Sequence, residues 1–101
     1  MKLDPYLIDT LMRDLVRHSR SASAYLVYLH LYRQTEGLGR SSFSISYAVL
    51  ADNTGLSKRS VQSAVAHLLD RRLIKKKLSR PTQTPIYSVL TPWVRLMKIV
   101  R

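Results

Sequence analysis

The stretch Leu50-Ala51-Asp52-Asn53-Thr54-Gly55-Leu56-Ser57-Lys58-Arg59-Ser60-Val61 decides how this chain folds. Two short helices joined by a tight turn and packed at a steep angle need three residue types at fixed offsets. A small residue must sit where the helices cross, and Ala51 occupies that place. A residue that tolerates positive φ must form the turn, and Gly55 follows four positions later. An apolar anchor is needed one turn into the second helix, and Val61 supplies it. Leu50 and Leu56 add flanking apolar contacts, and Ser57 is placed to cap the second helix so that its amino end can approach a phosphate.

Downstream, Ser57 predicts a helix over about 58–71 with Val61, Ala64, Val65, Leu68 and Leu69 as its apolar positions. Residues 73–78 and 86–90 read as strands, joined by a loop that Pro81 and Pro85 bracket, which fits a hairpin longer than a tight turn. Thr91-Pro92 then opens a last helix with Trp93, Val94, Leu96, Met97 and Val100 on its apolar side. Upstream, Ser46 caps a helix of about 47–54 that Gly55 ends, and the alternation over 42–46 predicts a short strand. Ala22 to Thr35 is apolar on most sides and is expected to be the most buried helix, ended by Gly37 and Gly39. Asp4-Pro5 starts a first helix of about 5–18, with Leu7, Ile8, Leu11, Met12, Leu15 and Val16 at helical spacing. The serine-rich stretch 19–23 separates these two helices and offers a new cap. The order implies a mainly α chain with a small β-sheet, of the α+β class, without internal repeats.

With 101 residues the chain has the length of one domain, and a hydrophobic share of 46% is enough for a core. Its net charge of +11 therefore comes without loss of folding capacity and calls for an acidic partner, for which nucleic acid is the default. The charge is unevenly placed. Residues 1–57 balance Lys2, Arg13, Arg17, Arg20, Arg33 and Arg40 against Asp4, Asp9, Asp14, Glu36 and Asp52, whereas 58–101 set eleven basic groups against Asp70 alone. No apolar run is long enough to cross a bilayer, the start lacks a signal-peptide pattern, and an absence of cysteine suits a reducing cytosol. An acidic membrane surface could attract the basic half by charge, but its basic groups fall on a hairpin and a capped helix, with no apolar insertion face beside them.

The stretch from Phe43 to Leu78, "FSISYAVLADNTGLSKRSVQSAVAHLLDRRLIKKKL", followed by Pro85 to Leu90, "PIYSVL", resembles the winged helix-turn-helix DNA-binding family. The likeness covers about 21–91 and implies one domain over 1–101. Its winged-helix core would be 21–91, with the helix-turn-helix at 47–71 and the wing at 73–90. Additional helices would lie within 5–20 and 92–101. The resemblance implies that helix 58–71 is a recognition helix in the major groove, with the wing on backbone or minor groove. The family commonly places glycine before the Leu-Ile that opens the wing, where this chain has Arg72. A positive φ there would cost arginine about 1 kcal/mol relative to glycine.

On helix 58–71 the face opposite the apolar stripe carries Lys58, Arg59, Ser60, Gln62, Ser63, Ala66 and His67. Arginine and lysine donate to guanine edges, and glutamine pairs with adenine, so Arg59, Gln62 and Ser63 are the first candidates for base readout. Lys58, Ser60 and His67 stand behind them. A solvated helix face is the alternative reading. Ser57, Arg71, Arg72, Lys75, Lys77 and Arg80 are candidates for phosphate or wing contacts; strand alternation turns Lys76 to the other face. Solubility and protection of a strand edge would use the same lysines.

Tyr25, Tyr28 and Tyr32 could stack on bases, but their spread among leucines fits core packing better. His18, His30 and His67 lack metal-ligand spacing, there is no glycine-rich phosphate loop, and Glu36 is the sole glutamate, so neither metal, cofactor, small-molecule ligand nor catalysis is expected. The expected partner is double-stranded DNA, in the cytoplasm at the nucleoid. Leu11, Leu15, Trp93 and Met97 either join two copies as a homodimer or cover each other within one chain. A transcriptional regulator is the leading reading. The alternatives are a replication or plasmid-maintenance factor, a nonspecific architectural binder, or a protein-contact module.

Overall fold

Serine caps open three helices in the computed structural model, which describes residues 3–78 and 84–93. Helix α1 spans Ala22–Gln34, α2 Tyr47–Thr54 and α3 Lys58–Asp70. The hydroxyls of Ser21, Ser46 and Ser57 each accept from the backbone N–H three residues on, at 3.1, 3.2 and 3.1 Å. Each such cap contributes about 1 kcal/mol over alanine.

Residues 5–18 form the first helix, and Asp4 starts it, its Oδ1 accepting the Tyr6 N–H at 2.9 Å. Much of this N-terminal helix winds as π-helix, over Leu7–Leu11 and Asp14–His18. The N–H of Met12 reaches the carbonyl of Leu7, and that of Ser19 the carbonyl of Asp14. Side chains four apart share a helix face, and two rows form along this helix. Leu7, Leu11 and Leu15 are buried, while Ile8, Met12 and Val16 are exposed. The expected six-residue apolar side is thus covered along one row only.

Helix α1 stops before its expected glycine terminators. The N–H and Oγ1 of Thr35 both turn back to the carbonyl of Leu31, at 2.9 and 2.8 Å, and end it. Gly39, at φ +69°, closes the short 3-10 turn Glu36–Leu38 that follows. As expected, α1 is deeply buried, contributing Ala24, Tyr25, Val27, Tyr28, Leu31 and Tyr32 to the core. Tyr25 donates to the carbonyl of Leu7 at 2.7 Å and Tyr28 to that of Leu90 at 2.8 Å, so these tyrosines are core residues and not base platforms. Burial pushes the phenols of Tyr25, Tyr28 and Tyr32 up from their ordinary value.

Three short strands, β1 (Phe43–Ser44), β2 (Ile74–Lys77) and β3 (Ile86–Val89), form an antiparallel sheet in the order β1-β3-β2. The register pairs Phe43 with Tyr87, Ile74 with Val89, Lys75 with Ser88 and Lys77 with Ile86. One core runs from Leu7 and Leu15 through Val27 and Leu31 to Val61, Leu68 and Tyr87. Each fully buried leucine or valine there is worth about 1.5–3 kcal/mol. Trp93 joins this core from the far end of the chain: its Nε1 donates to Asp4 Oδ2 at 2.7 Å and its ring stacks on Tyr6 with centroids 4.5 Å apart. These helices and this small sheet give the α+β arrangement of a winged helix-turn-helix. Leu11, Leu15 and Trp93 are covered within one chain. Met97, most of the expected last helix, and loop residues 79–83 with Arg80 lie outside the described residues.

Candidate nucleic-acid interface

The α2–turn–α3 unit has the expected parts in place. Gly55 takes φ +77° and returns its N–H to the carbonyl of Ala51 at 2.9 Å. Leu50 and Val61 are fully buried on either side of the turn. The buried row Val61, Ala64, Val65 and Leu68 seats α3, which leaves Lys58, Arg59, Gln62, Ser63 and Ala66 exposed on the other side. No carboxylate pairs with Lys58 or Arg59 among the described residues. At the helix start, the Ser57 hydroxyl accepts the Ser60 N–H and donates to Ser60 Oγ at 2.9 Å, which fixes Ser60 half-buried beside the cap.

Two candidates stand differently from expectation. His67 is half-buried, and its Nε2 is buried with no hydrogen-bond partner, so that nitrogen is not offered to a base edge. The helix turns position 67 toward the flank of the core stripe. Arg71 is committed within the chain: Nη1 donates to Ser19 Oγ at 2.6 Å and Nη2 to the Asp14 carboxylate. This pair joins the end of α3 to the end of the N-terminal helix, while Arg71 itself stays exposed.

Arg72 is exposed and takes φ +57°, the left-handed conformation that the resemblance implied. The Arg72 N–H reaches the carbonyl of Leu69 at 3.1 Å and the Leu73 N–H that of Leu68 at 3.0 Å, with Leu68 and Leu73 both buried. That is a Schellman ending, in which glycine normally takes the left-handed position.

On the sheet, alternation separates the three lysines as expected. Lys75 and Lys77 are exposed and line an open groove with Ser41, Ser42 and Ser88. Lys76 faces the other way; its Nζ donates to the Tyr47 hydroxyl at 2.8 Å and lies 5.1 Å from that ring's centroid. Tyr87 sits opposite Lys76, its hydroxyl buried without a partner, and burial pushes its phenol well up.

Arg20 is the residue that sequence reasoning passed over. It is exposed at φ +51°, and the fold brings it with Ser21 and Ser23 beside Arg59, Ser60 and Ser63. The one local signal was an arginine set among serines just ahead of a helix start. Behind the interface, the Asn53 amide lies 3.4 Å from Nε2 of His30 on α1, whose pKa burial lowers.

A family described as Helix-turn-helix domain matches residues 21–74. The matched span takes in α1, β1, α2 and α3 and stops at the first residue of β2. Among curated proteins and solved structures none matches the chain.

Proposed function

Because the chain belongs to the helix-turn-helix domain family, a DNA-binding family, we propose that it binds double-stranded DNA with sequence preference as a small transcriptional regulator. The observation that carries this reading is the exposed face of α3 formed by Lys58, Arg59, Gln62 and Ser63, with no acidic residue on the helix before Asp70. With α3 in the major groove, Arg59, Gln62 and Ser63 read base edges, and Lys58 and Ser60 stand beside them. Ser57, Arg72, Lys75 and Lys77 meet the backbone, the two lysines from the outer face of the sheet as a wing. The protein acts by binding alone, without catalysis, at the nucleoid of the cytoplasm. Among the described residues no helix is long and apolar enough to cross a membrane.

The exposed row Ile8, Met12 and Val16 supports a homodimer that would match a palindromic site. This differs from the residues first expected to serve, since Leu11, Leu15 and Trp93 face inward. Sedimentation at tens of micromolar tests it, and a monomer there removes the dimer.

Selection of bound fragments from a genomic library, read by sequencing, tests the function. One recurring motif supports a regulator. Clusters at replication origins support an initiator instead. Binding without any motif supports an architectural role, a reading that the net charge of +11 also favours. No duplex binding at moderate salt would turn the basic face toward an acidic protein.

A further inference from the structure

A cleft beside α3 joins two arginines that lie 39 positions apart in the chain. Arg20 comes from the turn between the N-terminal helix and α1, and Arg59 from the first turn of α3. Ser21, Ser23, Ser60 and Ser63 complete the polar lining, and no carboxylate is among the lining residues. Neither guanidinium has a hydrogen-bonding or ion-pair partner among the described residues, in contrast to Arg71. Ser21 is occupied by its cap on Ala24 and Ser60 accepts from Ser57, but the hydroxyls of Ser23 and Ser63 make no hydrogen bond among the described residues.

Arg20 also stands in the left-handed backbone region, where glycine would be relaxed and an arginine is strained. Residues held in this region carry an energetic cost and cluster at functional sites. Two arginines lining one concave surface with serine hydroxyls create a local positive potential and supply hydrogen-bond donors. An anion with several oxygens fits that chemistry, and beside a base-reading helix face the anion at hand is a backbone phosphate.

We propose that Arg20, with the hydroxyls of Ser23 and Ser63, grips one phosphodiester of the DNA backbone. Arg59 forms the opposite wall of the cleft and extends toward the bases. Arg20 is then a positioning residue: it fixes the lateral register of α3 so that Arg59 and Gln62 meet the correct base pairs. The proposal rests on the DNA-binding reading above and extends the contact surface to the start of α1, on the side of α3 next to the N-terminal helix.

The test uses the full chain, labelled 30-base-pair duplexes and Arg20→Gly. Glycine removes the guanidinium while suiting the backbone at φ +51°, so the unfolding temperature should hold or rise. Affinity for every duplex should fall roughly three- to ten-fold at 100 mM salt, and the slope of log K against log salt should become shallower by about one. Arg20→Lys should restore most of that slope, because it keeps the charge. In a scan of single methylphosphonate linkages, one neutral linkage should weaken the wild type and leave Arg20→Gly unchanged. Unchanged affinity and slope in Arg20→Gly, with both lowered by Lys75→Gln plus Lys77→Gln, overturns the phosphate grip while keeping DNA binding. A binding loss that tracks a lower unfolding temperature, or a scan without a distinguishing linkage, overturns it too. Wild-type protein that binds no duplex at low salt overturns the reading beneath it.

Discussion

The N-terminal helix with α1 uses its polar side chains in the opposite way from the α3–β2 segment. In the first region hydroxyls and carboxylates close bonds inside the molecule: Tyr25 to Leu7, Tyr28 to Leu90, Thr35 to Leu31, and Asp4 to Trp93. In the second, Lys58, Arg59, Gln62, Ser63, Lys75 and Lys77 are exposed without partners among the described residues. A buried polar group costs stability unless it is paired, whereas an exposed one keeps its hydrogen-bonding capacity for a ligand. Most internally bonded polar groups thus lie in the first region and most free ones in the second, with Arg20 and Ser23 the exceptions at the start of α1, and substitutions should separate the two roles. Arg71 and Lys76 cross that division, since both are basic groups of the second region held by the rest of the molecule.

The largest effect expected is on the inward region. Leu31→Ala removes a fully buried side chain from α1 and should lower unfolding free energy by about 3 kcal/mol in urea titration. A loss under about 1 kcal/mol would break the assignment of α1 as the scaffold. Next, Lys75→Gln with Lys77→Gln should leave the urea midpoint in place while weakening duplex binding roughly ten-fold and reducing the salt slope by about two. An unchanged slope would remove the sheet from the interface. At Arg72 the two functions meet, because the backbone asks for glycine and the charge faces outward. Arg72→Gly should raise stability by about 1 kcal/mol and weaken DNA binding, and calorimetry with anisotropy reads both.

The Arg71–Asp14 pair sharpens the comparison further. Its side chains are 35% and 32% exposed, so solvent screening holds their coupling to about 0.5–1 kcal/mol in a double-mutant cycle. A coupling near zero would leave the two helix ends independent. The smallest effect concerns His30. Burial lowers its pKa below the ordinary 6.5, so the unfolded chain binds the proton more readily than the folded one. This contribution to stability is complete well above pH 6.5 and is lost as pH falls from there toward the lower folded value. Urea midpoints between pH 7 and 5 should decline less for His30→Gln than for the wild type.

Local signals made the fold legible. Ser46, Gly55 and Ser57 each specify a backbone conformation through their own side chain or its absence, and each stands where the sequence places it. The alternation Lys75, Lys76, Lys77 told which ammonium would turn inward, because a strand's period of two admits no other division. Even the strain at Arg72 was visible as a missing glycine. What escaped was long-range or depended on packing. Arg71 meets Asp14 across 57 positions, and nothing near either residue announces the other. Arg20 reaches Arg59's side only once α1 has packed on α3. A 3.6-residue period put Ile8, Met12 and Val16 with the leucines, but the neighbouring elements cover only the row of Leu7, Leu11 and Leu15. His67 fell at the margin of a helical face, where one turn of periodicity cannot tell outward from flank.

The clasp between Asp4 and Trp93 has a consequence for how the chain is made. It closes across 89 positions, so the start of the N-terminal helix gains this partner only once the chain through Trp93 is free to fold. During synthesis, α1, α2 and α3 can meet earlier, and the clasp is a late event. Trp93 is the sole tryptophan, and stacked on Tyr6 it makes intrinsic fluorescence a reporter of that closure. In a refolding experiment its signal should lag behind helix formation followed by circular dichroism, timing the moment at which the two distant segments come together.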